Sequence, residues 1–171
     1  MALYLAMPER SHRRAWKQLK REFDHDDAVH FALYQGSKTY RQFLRKWRNF
    51  HEGRRLPKDF VPGTKFFLVE EGNPKILGVI DIRHRLNDSL LVRGGHIGYA
   101  IAPSERRKGY ATEQLRLALE KCREMGIGTV LITCDKENAA SAKVIQRNGG
   151  VLEDERELSD GRVFQRYWIE V

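Results

Sequence analysis

Cysteine is scarce in this chain: of 171 residues, only Cys122 and Cys134 carry a thiol. Two cysteines cannot build a disulfide framework and neither stands at metal-ligand spacing, so the chain reads as a protein of a reducing, cytoplasmic setting with no metal site. Long apolar runs are also missing, and none approaches the roughly 20 residues that cross a bilayer. The opening MALYLAMPERSHRR has too short an apolar stretch, and no cleavage pattern, for a secretory signal. No membrane partner is therefore expected. Repeats of fixed period and low-complexity tracts are absent, which excludes solenoids and long disordered linkers. Two nucleotide signatures are missing as well: there is no G-x-x-x-x-G-K-[ST], and no G-x-G-x-x-G follows a strand pattern.

What is present suits one domain spanning 1–171, long enough for a single sizeable core. Its charge is unevenly placed. Residues 1–55 hold 13 Lys and Arg against 6 Asp and Glu, which is +7 of the total +8. A basic first third points to an anionic partner, such as a phosphate, a nucleic acid or an acidic substrate. The competing explanation is that these are solvated helix faces.

Residues 3–7 form a short opening strand ended by Pro8, followed by a helix over 9–23 with Trp16, Leu19 and Phe23 at helical spacing. The run Asp24-His25-Asp26-Asp27 reads as a solvated turn rather than a metal site. Ser37 is placed to cap a second helix running to Phe50, whose stripe of Tyr40, Phe43, Leu44, Trp47 and Phe50 faces inward while Arg41, Arg45 and Arg48 face elsewhere. Because the aromatics sit at core spacing, a nucleic-acid partner is disfavoured. Strands over 65–70 and 76–83 form a hairpin, with turns at Asn87-Asp88 and Gly94-Gly95 before a strand at Ile97–Ile101. A helix from Ala111, a strand over 129–134 and a helix capped by Asn138 and ended by Gly149-Gly150 follow. The tail is a hairpin of strands 151–158 and 163–171 around Ser159-Asp160-Gly161-Arg162. This order predicts an α+β fold, a mixed and mostly antiparallel central sheet flanked by helices, and not a regular βαβ winding.

The stretch HIGYAIAPSERRKGYAT, residues 96–112, organises the rest. A short strand turns through Gly109 into a helix, with Ala111, Leu115, Leu119 and Cys122 along one face. Such a turn leaves amide N–H groups unpaired at the positive end of the helix dipole, and Arg106, Arg107 and Lys108 add cations there. The expectation is a seat for phosphate or pyrophosphate.

The turn reads Arg106-x-x-Gly109-x-Ala111. It resembles the acyl-CoA pyrophosphate loop of the GNAT N-acetyltransferase superfamily, whose pattern is [QR]-x-x-G-x-[GA], and it has that family's context of strand, loop, helix, strand and helix. Asn138 and Gly149 match the family's next motif. The resemblance covers about residues 64–171, the acyl-CoA-binding core, and is topological over 1–63, the acceptor-side segment. It implies a central sheet with a splayed strand, and an acyl-CoA-dependent N-acyltransferase that moves acetyl from acetyl-CoA directly to a primary amine. By the same resemblance, the backbone of Arg107, Lys108, Gly109, Tyr110, Ala111 and Thr112, preceded by Arg106, holds the pyrophosphate. Tyr99, Ala100, Ile101 and Ala102 pair with the pantetheine arm, and Asn138 and Ser141 contact the donor from the other side.

The chain departs from the family at one position: many members carry a Tyr on the last helix as the thiolate's acid, and here it is Ile145. Isoleucine donates no proton, so Ser141 or a water takes the role, or coenzyme A leaves unaided. His96, near where members often carry a Glu, is the candidate base, with a structural His as the alternative. His84 and Asp81 alternate with Ile80 and Ile82 and line the same cleft in this reading. Cys134 reads as a small core residue rather than a nucleophile. The acceptor is a small-molecule amine or a protein N-terminus. The basic helices favour a small acceptor carrying a carboxylate or phosphate. A GNAT-like module that binds acyl-CoA with little or no catalysis is the alternative function, and a homodimer is left open.

Overall fold

Period-two alternation along the middle strands decides which helix covers which face. The structure, a computed structural model, describes residues 2–25 and 37–171. Strand β1 (Leu3–Ala6) leads through a 3-10 turn at Arg10–His12 into α1 (Arg13–Asp24), and α2 (Tyr40–Glu52) follows. Strands β2 (Gly63–Glu70) and β3 (Gly78–Arg83), helix α3 (Asp88–Val92) and strand β4 (Ile97–Ile101) come next. The first sheet has the order β1-β2-β3-β4, antiparallel throughout. On one face Phe67, Val69 and Val79 pack against Trp16 and Leu19 of α1 and Phe43 of α2. Their neighbours Phe66, Ile80 and Ile82 point the other way, against Leu115, Ala118 and Cys122 of α4 (Tyr110–Glu124). Each such side chain, fully buried, contributes about 1.5–3 kcal/mol.

A second sheet holds β5 (Thr129–Asp135), β6 (Val151–Glu157) and β7 (Val163–Glu170) in the order β5-β7-β6, with α5 (Ala139–Arg147) between β5 and β6. The two sheets meet at one point. The His96 amide donates to the Leu131 carbonyl at 2.7 Å, and the Gly94 amide donates to Thr133 Oγ1 at 2.8 Å. Gly95 permits this approach: its φ is +59°, and a Cβ there would run into the Leu131 carbonyl oxygen. Beyond His96, among the described residues, β4 pairs only with β3 and β5 only with β7, so β4 and β5 diverge as the arms of a V.

Three local expectations need correction. Thr39, not Ser37, caps α2: its hydroxyl accepts from the Gln42 amide at 3.2 Å, and Gln42 Oε1 accepts from the Thr39 amide at 3.3 Å. Ser37 is buried two residues upstream, and its hydroxyl has no hydrogen-bond partner among the described residues. The turn at Asn87-Asp88 is the start of α3, with Asn87 Oδ1 accepting from the Leu90 amide at 2.9 Å. The β3 strand begins at Gly78 rather than at 76. Within the turn at 24–27, Asp26 and Asp27 lie outside the described residues. No described helix is long and apolar enough to cross a membrane.

Candidate functional site

The turn between β4 and α4 has the geometry of an anion seat. Arg107 and Gly109 hold φ of +63° and +82°, a left-handed bend that points successive amides toward a common side. Among the described residues the amides of 107–111 make no well-formed backbone hydrogen bond, and the first that does is Thr112, donating to the Gly109 carbonyl at 3.2 Å. Gly109 occupies the N-cap of α4 and supplies no capping side chain, so the first-turn donors remain available. A Cβ at Gly109 would meet nothing within 4 Å, so the glycine serves its backbone angle, and the space beside it is open. One expected cation is committed elsewhere. Lys108 Nζ donates to buried Glu105 Oε2 at 2.7 Å, while Lys75 Nζ holds Glu105 Oε1 at 3.1 Å. The Lys108 hydrogen bond is the main reason that the Glu105 carboxyl lies below its ordinary range.

Across the V, three polar side chains from β4, β5 and α5 converge. Tyr99 Oη and Ser141 Oγ lie 2.8 Å apart. The Cys134 thiol is the third, and burial pushes it up to about 11 against an opposing pull from Ser141. Burial likewise pushes the Tyr99 phenol up to about 12. Ser141 is the third residue of α5, and its amide donates to Asn138 Oδ1 at 3.1 Å. Asn138 is therefore the expected cap, and its side-chain oxygen is spent on positioning Ser141. Ile145, where the family often has Tyr, is fully buried.

The sequence named Ser141 and Tyr99 separately and missed their pairing, which joins residues 42 positions apart. His96 lies at the closed point of the V, with Ala100, Ile101 and Ala102 farther along the open arm. It is 7% exposed, and its Nδ1 accepts from the Leu131 amide at 3.0 Å. That bond occupies the lone pair a base would use at Nδ1, leaving the proton on Nε2. The ring holds the two sheets together.

On the opposite face of the first sheet a cavity of about 270 Å³ opens between α2, β2, β3 and α3. Phe43, Trp47, Phe50 and Phe60 form its apolar walls, so Trp47 and Phe50, two of the five residues of the expected inward stripe of α2, line a cavity rather than core. Its floor is polar: Lys65 Nζ and Asp81 Oδ1 pair at 2.6 Å, with the lysine side chain only 7% exposed. Asp81 thus lines this cavity, but not together with His96 as expected, since His96 is not among the lining residues. His84 does not join it, because Thr64 Oγ1 bridges His84 Nε2 at 2.7 Å and His51 Nδ1 at 2.9 Å.

Three imidazoles, buried His96 and half-buried His12 and His84, set a pH dependence. His12, His84 and His96 all lie below the ordinary 6.5, in each case first through burial, with the charge of Arg83 adding to it at His96. The folded chain then binds fewer protons than the unfolded chain just below that value. Stability present above about pH 6.5 is lost as pH falls through the folded-state values. The urea midpoint is expected to drop between about pH 7.5 and about pH 5.5, ahead of any carboxylate titration; an unchanged midpoint contradicts this.

A sequence profile described as acetyltransferase (GNAT) domain matches residues 13–151. No curated protein sequence matches the chain. Among solved structures, RimL, a ribosomal L7/L12 α-N-protein acetyltransferase in complex with coenzyme A bound as a cysteine disulfide, is 18% identical with a TM-score of 0.74, over 100% of this chain and 95% of that one. The microcin C7 self-immunity acetyltransferase MccE, in complex with acetyl-CoA and AMP, is 15% identical with a TM-score of 0.70, over 99% and 92%. A GNAT-family acetyltransferase from Bacillus anthracis is 21% identical with a TM-score of 0.66, over 99% and 95%. At these identities the structural likeness speaks for a shared fold.

Proposed function

The chain belongs to the family of GNAT acetyltransferase domains, and on that premise we propose that it takes acetyl from acetyl-CoA and transfers it to the amino terminus of a protein. The observation that carries the donor side is the parting of β4 from β5 beyond His96, next to a turn whose amides at 107–111 are unpaired and whose Gly109 leaves open space. An elongated thiol ester with a pyrophosphate at one end fits that pairing of slot and seat: the free edge of β4 at 99–102 faces the arm, and the α4 N-terminus faces the phosphates. When bound, acetyl-CoA supplies the activated acyl carbonyl.

The remaining tasks fall to this chain's own groups. Ser141 delivers a proton to the departing sulfur. Its position in the first turn of α5 puts the positive end of a helix dipole beside the developing thiolate. Tyr99, whose phenol keeps its proton at neutral pH, stands 2.8 Å behind the serine to resupply it. Asp81 orients the acceptor's ammonium, which gives up a proton to water before the free amine attacks the acyl carbonyl. It stands in register with Gly98 on β4, on the face away from α4, and Lys65 already shows that a primary ammonium fits against it. His96 is a positioning residue that fixes where the V closes.

The cavity's apolar walls and its two carboxylates, Asp59 and Asp81, support an α-amine followed by an apolar or small side chain, although Lys46, Lys65 and Arg83 line it as well. The anionic small acceptor expected from the basic helices has less support, since Lys46 is the one cation of α2 that lines this cavity and Arg41, Arg45 and Arg48 lie outside it. RimL, whose described acceptor is a protein α-amine, adds to the reading.

The test is coenzyme A release measured against a panel of amines. Peptides with free amino termini are expected to support turnover, whereas Nα-blocked peptides and spermidine are not. Preference for spermidine overturns the acceptor. Binding of acetyl-CoA with no release for any amine overturns catalysis in favour of a binding module.

A further inference from the structure

The arginines that the acceptor cavity leaves out are gathered elsewhere. A second, shallower concavity lies on the outer side of α2, and six arginines line it: Arg10, Arg41, Arg45, Arg48, Arg54 and Arg55. All six are exposed. Among the described residues a single carboxylate lines the concavity, Glu52, and it pairs with Arg54 at 3.4 Å. Arg41, Arg45 and Arg48 have no carboxylate partner among the described residues, although α2 is held in place by core contacts on its other face. Three like charges within two turns repel one another. Nothing within the described chain offsets that cost, so the offset points to a partner.

We propose that this arginine face docks an acidic peptide segment, namely the stretch of the protein acceptor that follows its amino terminus. The proposal rests on the reading of the cavity as the seat of that terminus. The two sites share one helix: Lys46, Trp47 and Phe50 face the cavity, and Arg45, Arg48 and Asn49 face the concavity. A helix with its side chains is about 10–12 Å across. An extended chain advances about 3.3 Å per residue, so three or four residues carry a peptide from the cavity over α2 to the arginines. Along the helix, Arg41 and Arg45 are about 6 Å apart and Arg45 and Arg48 about 4.5 Å, within reach of carboxylates on alternate residues of an extended segment. Guanidinium groups take carboxylates in paired hydrogen bonds.

Phosphate chemistry would satisfy the same donors. Single-stranded nucleic acid, however, is held by bases stacked on aromatic side chains, and among the described residues no aromatic one lines this concavity. The carboxylate partner is therefore favoured.

The experiment uses two peptides sharing one neutral amino-terminal sequence, followed by a run of glutamates in one and of glutamines in the other. The wild type is expected to prefer the glutamate peptide by about tenfold in kcat/KM, mainly through KM, as three exposed ion pairs allow. That preference falls with added salt and collapses toward one in Arg41→Gln/Arg45→Gln/Arg48→Gln. Equal use of both peptides overturns the docking surface while leaving the amino-terminal acceptor intact. If neither peptide is acetylated, anisotropy with an Nα-acetylated, labelled glutamate peptide decides: binding that the triple variant loses upholds the docking surface although the acceptor reading fails, and no binding by the wild type overturns it. A single-stranded RNA oligomer that binds through these arginines where the glutamate peptide does not assigns the face to nucleic acid and overturns the proposal. Thermal unfolding of the triple variant at the wild-type midpoint shows that these exposed positions leave the fold unchanged.

Discussion

Replacing Gly109 with Glu is expected to weaken acetyl-CoA binding by at least about a hundredfold, which is about 2.7 kcal/mol. Two effects add. The residue sits at φ +82°, where a side chain is strained and tends to pull the turn away from the shape that presents its amides. A carboxylate placed in the open space beside Gly109 would also face the incoming phosphates. Two unit charges of like sign about 4 Å apart repel by about 4 kcal/mol at the dielectric of a protein surface. Gly109→Ala separates the effects, because it carries the strain without the charge and is expected to lose less than the Glu variant. Calorimetric titration reads both. Wild-type affinity in Gly109→Glu would mean that the phosphates lie elsewhere.

The second large effect is on chemistry rather than binding. Ser141→Ala is expected to lower kcat about a hundredfold, the scale of a lost general acid, with KM for acetyl-CoA nearly unchanged. Tyr99→Phe is expected to cost about tenfold, since it removes the proton source behind the serine and leaves the serine in place. If the pair acts as one unit, the double variant is little worse than Ser141→Ala. Ser141→Thr keeps a hydroxyl and is expected to restore part of the rate. An unchanged kcat in Ser141→Ala removes the serine from the mechanism and leaves solvent as the proton source.

The anion seat was legible in the sequence because all of its determinants are local. A strand, a glycine able to hold positive φ and a helix start lie within 96–112, and the strand falls at Ile97–Ile101 as predicted. The layering was legible for the same reason, since alternating pairs such as Phe66 and Phe67 declare two buried faces. What depended on contacts between distant residues was not legible. Ser37 and Thr39 are equally good caps by residue type, and only the reciprocal bond from Gln42 selects Thr39. Five residues are too few for α3 to show a helical period. His96 carries no mark in the sequence of the Leu131 amide 35 positions away that claims its Nδ1. A helical wheel separates the aromatic and arginine faces of α2, but it does not show that Trp47 and Phe50 border a cavity or that the arginines gather with Arg10 and Arg54.

The central claim is that acetyl passes from coenzyme A to a protein's α-amine across the V between β4 and β5. Tandem mass spectrometry of a peptide carrying both a free amino terminus and an internal lysine, incubated with the protein and acetyl-CoA, tests it most directly. The account predicts one added acetyl group on the terminal residue, with the lysine unmodified. Acetyl found only on the lysine, or none on the peptide, contradicts it.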